Sequence, residues 1–223
     1  GVVNNVVRLS KALWENGHQI HIVTTPARYS KDAGNDVPWA EIHSLQVGGV
    51  YPSARYAFEF LIKAVPTIRR LHKKEKFDVI HGHSGYHTIG LVPSISGKMF
   101  NIPSVHTLYC PLAERIVEKG YFQLLMNPYL TRSFFLSVDK IVAISNNVKS
   151  SLEKTGLSSE KITVIPPAID SYSFNPTVSG EHVRASLGIS LDEPMILFVG
   201  NSTKTKGVYA LIKAMKTIIR DFP

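Results

Sequence analysis

The sequence contains a single cysteine, Cys110, among 223 residues. One thiol excludes a disulfide within the chain and any metal site built from several cysteines, and it is typical of a reducing compartment. No apolar run approaches the roughly 20 residues that a membrane-spanning helix requires. We therefore expect a cytoplasmic protein, with a peripheral membrane contact as an open alternative.

The composition is that of a soluble globular protein, with 44% apolar and 19% charged residues. Such a chain is too hydrophobic to be disordered. A net charge of +8 is compatible with a polyanionic partner, an anionic membrane surface, a phosphate-bearing substrate or solubility alone. The basic residues are concentrated in one stretch, which contains Lys63, Arg69, Arg70, Lys73, Lys74 and Lys76.

Amphipathic helical segments alternate with short apolar strands along most of the chain. This alternation predicts an α/β fold built on a Rossmann-like, doubly wound parallel sheet. The predicted strands are 19–25, 41–47, 78–81, 104–107, 140–144 and 161–165. The predicted helices start near residue 3 and cover 53–76, 86–100, 121–137 and 146–154.

A boundary follows this series, because Pro166 and Pro167 end the last strand and weak patterning continues to Ser190. A second unit then starts with an apolar strand, Met195–Val199, and an amphipathic helix. One strand and one helix cannot bury both their faces. We therefore expect an N-terminal domain at 1–176, without its first strand, and a truncated second Rossmann-like domain at 177–223.

Ligands of open parallel sheets lie beyond the carboxyl ends of the strands. Three loops occupy such positions, at 81–86, 106–109 and 200–207. The third loop ends in Lys206 and Gly207 before a helix, where free backbone donors, the helix dipole and a cation favour a diphosphate. A solvated lysine in an ordinary connection would give the same pattern.

His83 is suited to act on a sugar hydroxyl or a reacting centre, although a structural histidine is an alternative. His81 shares a strand face with it, and a metal site with His87 or His106 is conceivable, but no carboxylate lies nearby in sequence. We therefore predict no metal. Ser84 comes close to a nucleophile elbow, but Tyr86 occupies a position that requires a small residue, so a serine hydrolase is a poor alternative.

The basic segment between Lys63 and Lys76 borders an apolar helix face and is suited to an anionic membrane surface. A solvated outer face is the commoner explanation of such a pattern. No aromatic residues are interleaved with these charges as in a base-stacking platform, so no nucleic-acid partner is expected.

The order of these motifs resembles glycosyltransferase family 4, the group-1 retaining enzymes with the GT-B fold. The resembling segments are Gly1–Val3 with the helix and strand that follow, Asp78–His83, Ser137–Ser145, Val164–Pro176 and Ile196–Gly207. The resemblance implies transfer of a sugar from a nucleotide diphosphate sugar to a carbohydrate or lipid-linked acceptor with retained configuration. It also implies no cofactor and no essential metal, in agreement with the absence of an Asp-x-Asp pair.

The resemblance also implies roles for individual residues. His83 would be the catalytic residue near the transferred sugar, and His106 and Tyr109 would line the acceptor cleft. Donor binding would involve Gly1, Asn201 and Lys206, with Asn201 at a position where the family usually has arginine. The resemblance places the paired glutamates and the nucleotide-binding elements of the family beyond Pro223, so this segment alone is expected to be inactive. The alternative is a non-catalytic binding module or a subunit whose donor site a partner chain completes.

Overall fold

A computed structural model describes residues 1–26, 37–48, 53–84, 87–111, 137–200, 202 and 206–221. The chain divides into two compact units, residues 1–168 and 169–223. The boundary that the sequence predicts, after residue 176, falls inside the second unit. Among the described residues, no helix has both the length and the apolar character needed to cross a bilayer.

The first unit alternates helices with parallel strands. Its elements are α1 (Val2–Glu15), β1 (Ile20–Thr24), β2 (Ala40–Ser44), α2 (Ala54–Glu75), β3 (Ile80–Ser84), α3 (His87–Phe100), β4 (Ser104–Leu108), β5 (Lys140–Ala143), α4 (Asn146–Glu153) and β6 (Ile162–Val164). The α/β class and the parallel strands predicted from sequence are confirmed. The helix predicted at 121–137 lies, except for Ser137, outside the described residues.

The described strands form two hydrogen-bonded groups. β1 pairs with β2, and the second group has the order β3-β4-β5-β6. Helices α2 and α3 pack together around Phe60, Ala64, Ile68 and Val92. A second cluster surrounds α4 and consists of Leu108, Val138, Ile141, Ala143, Val148, Leu152, Leu157 and Ile162. Burying each of the larger side chains stabilises the fold by about 1.5–3 kcal/mol.

Two helix starts are fixed by serine side chains. Ser53 Oγ accepts a hydrogen bond from the Tyr56 amide at 3.2 Å, and Ser145 Oγ accepts one from the Val148 amide at 3.3 Å. These contacts satisfy amides that lack a partner within the helix, and each such cap is worth about 1 kcal/mol. The caps therefore set where α2 and α4 begin.

Asp139 ties the start of β4 to β5. Its Oδ2 accepts hydrogen bonds from the Ser104 amide at 2.7 Å and from Ser104 Oγ at 2.8 Å, and its own amide donates to the Ser104 carbonyl at 3.0 Å. The two bonds to Oδ2, first the one from the Ser104 backbone and then the one from its hydroxyl, lower the pKa of the Asp139 carboxyl. The ionised carboxylate thus satisfies Ser104, which is 2% exposed.

The second unit contains a short helix, α5 (Glu181–Ser186), and an amphipathic helix, α6 (Val208–Asp221). The helix predicted after Gly207 is confirmed as α6. The strand predicted at Met195–Val199 is wrong, because these residues pair with no strand among the described part of the chain and Leu197 and Val199 are 72% and 85% exposed. An apolar run becomes a strand only where a neighbouring strand supplies hydrogen bonds.

Replacing Asp139 with alanine is expected to lower the free energy of unfolding of the first unit by about 1–3 kcal/mol, because the buried Ser104 amide loses its charged acceptor. Urea unfolding followed by tryptophan fluorescence measures this, since the two tryptophans, Trp14 and Trp39, lie in that unit. Asp78→Ala, at an exposed position before β3, is the control. Equal losses in both variants would contradict the role given to Asp139.

Candidate functional site

Polar side chains meet where β3 and β4 approach their carboxyl ends. The parallel register pairs Gly82 with His106 and His83 with Thr107. Since side chains alternate along a strand, His81 and His83 project from the same face as Thr107. Gly82 and His106 project from the opposite face. The pattern His-Gly-His therefore presents two histidines on one side of the sheet, and on the other side the glycine leaves space beside His106.

His83 is held by a chain of hydrogen bonds that starts in α1. Asn5 Nδ2 lies 2.6 Å from Tyr109 Oη, and that oxygen lies 3.0 Å from His83 Nδ1. An amide nitrogen only donates, so Tyr109 Oη accepts from Asn5 and has its own proton available for His83 Nδ1. When Tyr109 donates this proton to Nδ1, His83 carries its own proton on Nε2 and offers an N–H donor there.

Burial keeps His83 neutral. It lowers the pKa of His83 to about 3, with smaller contributions from His81 and His106, and it lowers the pKa of His81 to about 4. His81 Nε2 lies 2.8 Å from Thr107 Oγ1, and the two imidazole rings on this strand are 3.9 Å apart. Burial also raises the pKa of Tyr109, which the hydrogen bond from Asn5 opposes. Near neutral pH the site thus contains uncharged donors and acceptors.

His106 lies between the sheet and α3. It is fully buried. A Cβ at position 82 would lie 2.7 Å from His106 Nδ1 and 2.6 Å from Pro93 Cγ, and a Cβ at Gly90 would lie 3.2 Å from His106 Cε1. The two glycines therefore provide the space that the imidazole ring occupies. His106 lies on the opposite face from His81 and His83, so the metal site considered with His106 does not form, while the His87 side chain lies outside the described residues.

The predicted donor residues are divided between the two units. Gly1 is exposed at the start of α1, and its carbonyl accepts a hydrogen bond from the Asn5 amide at 3.2 Å. Lys206 is exposed just before α6 in the second unit, and Asn201 lies outside the described residues. The donor roles of all three residues, and the acceptor roles of His106 and Tyr109, stay predictions.

Asn5 is a site residue that the sequence patterns did not reveal. It lies in the first turn of α1, four residues after Gly1, which is the spacing of neighbours on a helix face. Its spacing of four residues from Gly1, the N-cap of α1, was a usable signal. Its contact with Tyr109, which is 104 positions away in sequence, depends on the tertiary fold.

Comparisons with known proteins agree on the family. The model of Glycosyltransferase Family 4 matches residues 1–172. Alpha-maltose-1-phosphate synthase from Mycolicibacterium smegmatis is 27% identical over 171 residues, which are 73% of this chain and 43% of that protein. The chain spans about half the length of the curated relatives that it matches.

Solved structures share the fold. Sucrose-phosphate synthase from Thermosynechococcus elongatus superposes with a TM-score of 0.73 at 23% identity and covers 95% of this chain and 53% of that one. The Anabaena protein Alr3699/HepE, solved with UDP-glucose, gives a TM-score of 0.60 at 14% identity and covers 84% of this chain and 46% of that one. The resemblance to the GT-B fold is thereby confirmed.

The buried histidines make the first unit sensitive to acid. A histidine that titrates near 6.5 when unfolded but stays neutral when folded lowers the free energy of unfolding as pH falls below 6.5, by about 2 kcal/mol at about pH 5. The free energy of unfolding of the wild type is expected to fall between about pH 7.5 and about pH 5, partly because His83 has a lowered pKa. In His83→Gln this decrease should be smaller by about 2 kcal/mol.

Urea unfolding at the two pH values, followed by tryptophan fluorescence, measures the difference. His182→Gln, at an exposed position of α5, is the matched control and should keep the wild-type pH dependence. An unchanged pH dependence in His83→Gln would show that His83 is not held neutral by burial.

Proposed function

Because the chain belongs to glycosyltransferase family 4, we propose that it forms part of an enzyme that transfers a sugar from a nucleotide diphosphate sugar to an acceptor with retained anomeric configuration. The proposal concerns a protein of the length of the relatives, of which this chain spans about half. In that full-length protein, the first unit would bind the acceptor, and the second unit would form the first part of the domain that binds the nucleotide sugar.

The observation that best supports this proposal is the hydrogen-bond chain from Asn5 through Tyr109 to His83. It orients a neutral imidazole whose Nε2–H can donate to a hydroxyl of the transferred sugar. A donor fixed before the substrate binds needs no reorganisation as charge develops during transfer. The low pKa of His83, about 3, keeps it in this form throughout the physiological range.

Stabilisation of the departing diphosphate is assigned to the second unit. Lys206 precedes α6, and the N-terminus of this helix adds a partial positive charge to that of the lysine. The structure of Alr3699/HepE with UDP-glucose makes a uridine diphosphate sugar a reasonable first donor to test. We propose that His106, buried beneath α3, positions β4 and that Tyr109 provides the acceptor-side contact.

Tyr109→Phe in the full-length enzyme is expected to lower kcat about tenfold or more with a smaller effect on KM, because the phenyl ring fills the same volume but cannot hold His83. His83→Ala is expected to lower kcat by about 100-fold. Release of the nucleoside diphosphate from a panel of nucleotide sugars, with the product configuration determined by NMR, provides both measurements.

Tyr172→Phe is the control, since Tyr172 is 91% exposed. Wild-type kcat in Tyr109→Phe and His83→Ala would overturn the assignment. An enzyme-length protein that binds the nucleotide sugar but neither hydrolyses nor transfers it would support the non-catalytic binding module instead.

A lipid-linked acceptor is favoured by the exposed face of α2. Phe58 and Ile62 are 63% and 48% exposed in the first half of this helix, and Arg69, Arg70 and Lys73 are exposed in its second half. Apolar side chains beside cations are typical of a helix that rests on an anionic membrane surface. We therefore propose that α2 contacts the membrane that carries the acceptor.

Replacing Arg69, Arg70 and Lys73 with glutamate is expected to abolish most binding to vesicles that contain phosphatidylserine, since each basic residue contributes about 1 kcal/mol near such a surface. Vesicle co-sedimentation measures this. Lys213→Glu with Lys216→Glu, at exposed positions of α6, is a control for added negative charge. Binding that is equal in both variants and the wild type would rule out α2 as the contact.

A further inference from the structure

Two histidines and one glutamate converge on the two-stranded sheet. His21 lies on β1, and Glu41 and His43 lie on β2. The parallel register pairs His21 with Glu41, and Glu41 and His43 are two residues apart, so all three project from one face. The cluster involves neither β3 nor β4 and is therefore separate from His83 and Tyr109.

The distances within the cluster are informative. His21 Nδ1 and His43 Nε2 are 3.0 Å apart, within hydrogen-bond range. The Glu41 oxygens face the same two nitrogens, with Oε2 3.6 Å from His21 Nδ1 and Oε1 3.6 Å from His43 Nε2. A separation of 3.6 Å is too long for an N–H···O hydrogen bond. The carboxylate therefore points at both imidazoles without a hydrogen bond to either of these nitrogens.

A single metal ion would satisfy all three side chains. Tetrahedral zinc holds histidine nitrogen at about 2.0–2.1 Å and carboxylate oxygen at about 2.0–2.2 Å, which places neighbouring ligand atoms about 3.3–3.5 Å apart. The observed separations of 3.0 and 3.6 Å lie on either side of this value. Small side-chain rotations would bring the three atoms into the first coordination sphere.

We propose that His21, Glu41 and His43 form a binding site for a divalent transition-metal ion of the zinc class. Two imidazoles and one carboxylate are a ligand set that suits zinc and its neighbours rather than magnesium or calcium, which prefer oxygen ligands. With three protein ligands, the fourth position of a tetrahedral ion is left for water or a small anion.

The two histidines of the cluster are held in place by their surroundings, while the glutamate faces solvent. The His21 and His43 side chains are 5% and 13% exposed, whereas the Glu41 side chain is 60% exposed. The ring of Phe77 lies 5.2 Å from that of His21 and limits its movement. A pocket of about 520 Å³, bordered by His21 and Glu41, opens beside the cluster and provides a route for the ion.

The support for the site comes from the convergence of three ligand atoms on one point. The other nitrogen of His21, Nε2, is buried and has no hydrogen-bond partner among the described residues, and an ion on Nδ1 would leave it so. An ion on Nδ1 would link β1 to β2 through bonds stronger than the hydrogen bond between the imidazoles. The site would thus stabilise the fold and take no part in sugar transfer.

The proposal is tested by titrating the chelator-treated protein with Co²⁺, whose visible absorption reports nitrogen and oxygen ligation, and then displacing Co²⁺ with Zn²⁺. One ion per chain is expected, together with a higher Tm in the presence of Zn²⁺. Glu41→Gln keeps the size of an exposed side chain, so it should fold. It should weaken Zn²⁺ binding at least about tenfold and remove the increase in Tm.

His43→Gln should weaken binding by about 100-fold or more, and His18→Gln is the control, because His18 borders the same pocket but is outside the cluster. Equal Zn²⁺ affinity in the wild type, Glu41→Gln and His43→Gln would overturn the proposal, as would the absence of a Co²⁺ absorption band in the wild type. Sugar transfer by Glu41→Gln should match the wild type, which keeps this test independent of the proposed function.

Discussion

The parallel register between β3 and β4 is the constraint on which the candidate site depends. By pairing Gly82 with His106 and His83 with Thr107, it decides which imidazoles face the helix α3 and which face the opposite side. A shift by one residue would exchange the two sets, because side chains alternate with a period of two. The close packing of Gly82 against Pro93 and His106 opposes such a shift, since any side chain larger than hydrogen would overlap its neighbours.

Much of the first unit could be predicted from sequence because its signals are local. Short segments with β-branched residues, set between amphipathic helical segments, mark the strands, and a serine before an amphipathic segment marks the starts of α2 and α4. Local sequence led to a wrong strand prediction at Met195–Val199, because this apolar run has no strand partner in the described part of the second unit. Strand formation needs a neighbour, and local sequence does not specify one.

The candidate site was predictable only in part. Alternation along one strand is enough to put His81 and His83 on the same face, and this needs no tertiary information. The contact of Asn5 with Tyr109, and the meeting of His21 with Glu41 and His43, join segments that are distant in sequence. Such contacts follow from the register between strands and from helix packing, which periodicity does not encode.

The link between the first turn of α1 and His83 has a mechanical consequence. Only two hydrogen bonds, through Asn5 and Tyr109, separate the start of this helix from the imidazole. Any change that separates α1 from the phenol would remove the donor to Tyr109 Oη, so the packing of this helix is a condition for the orientation of the imidazole.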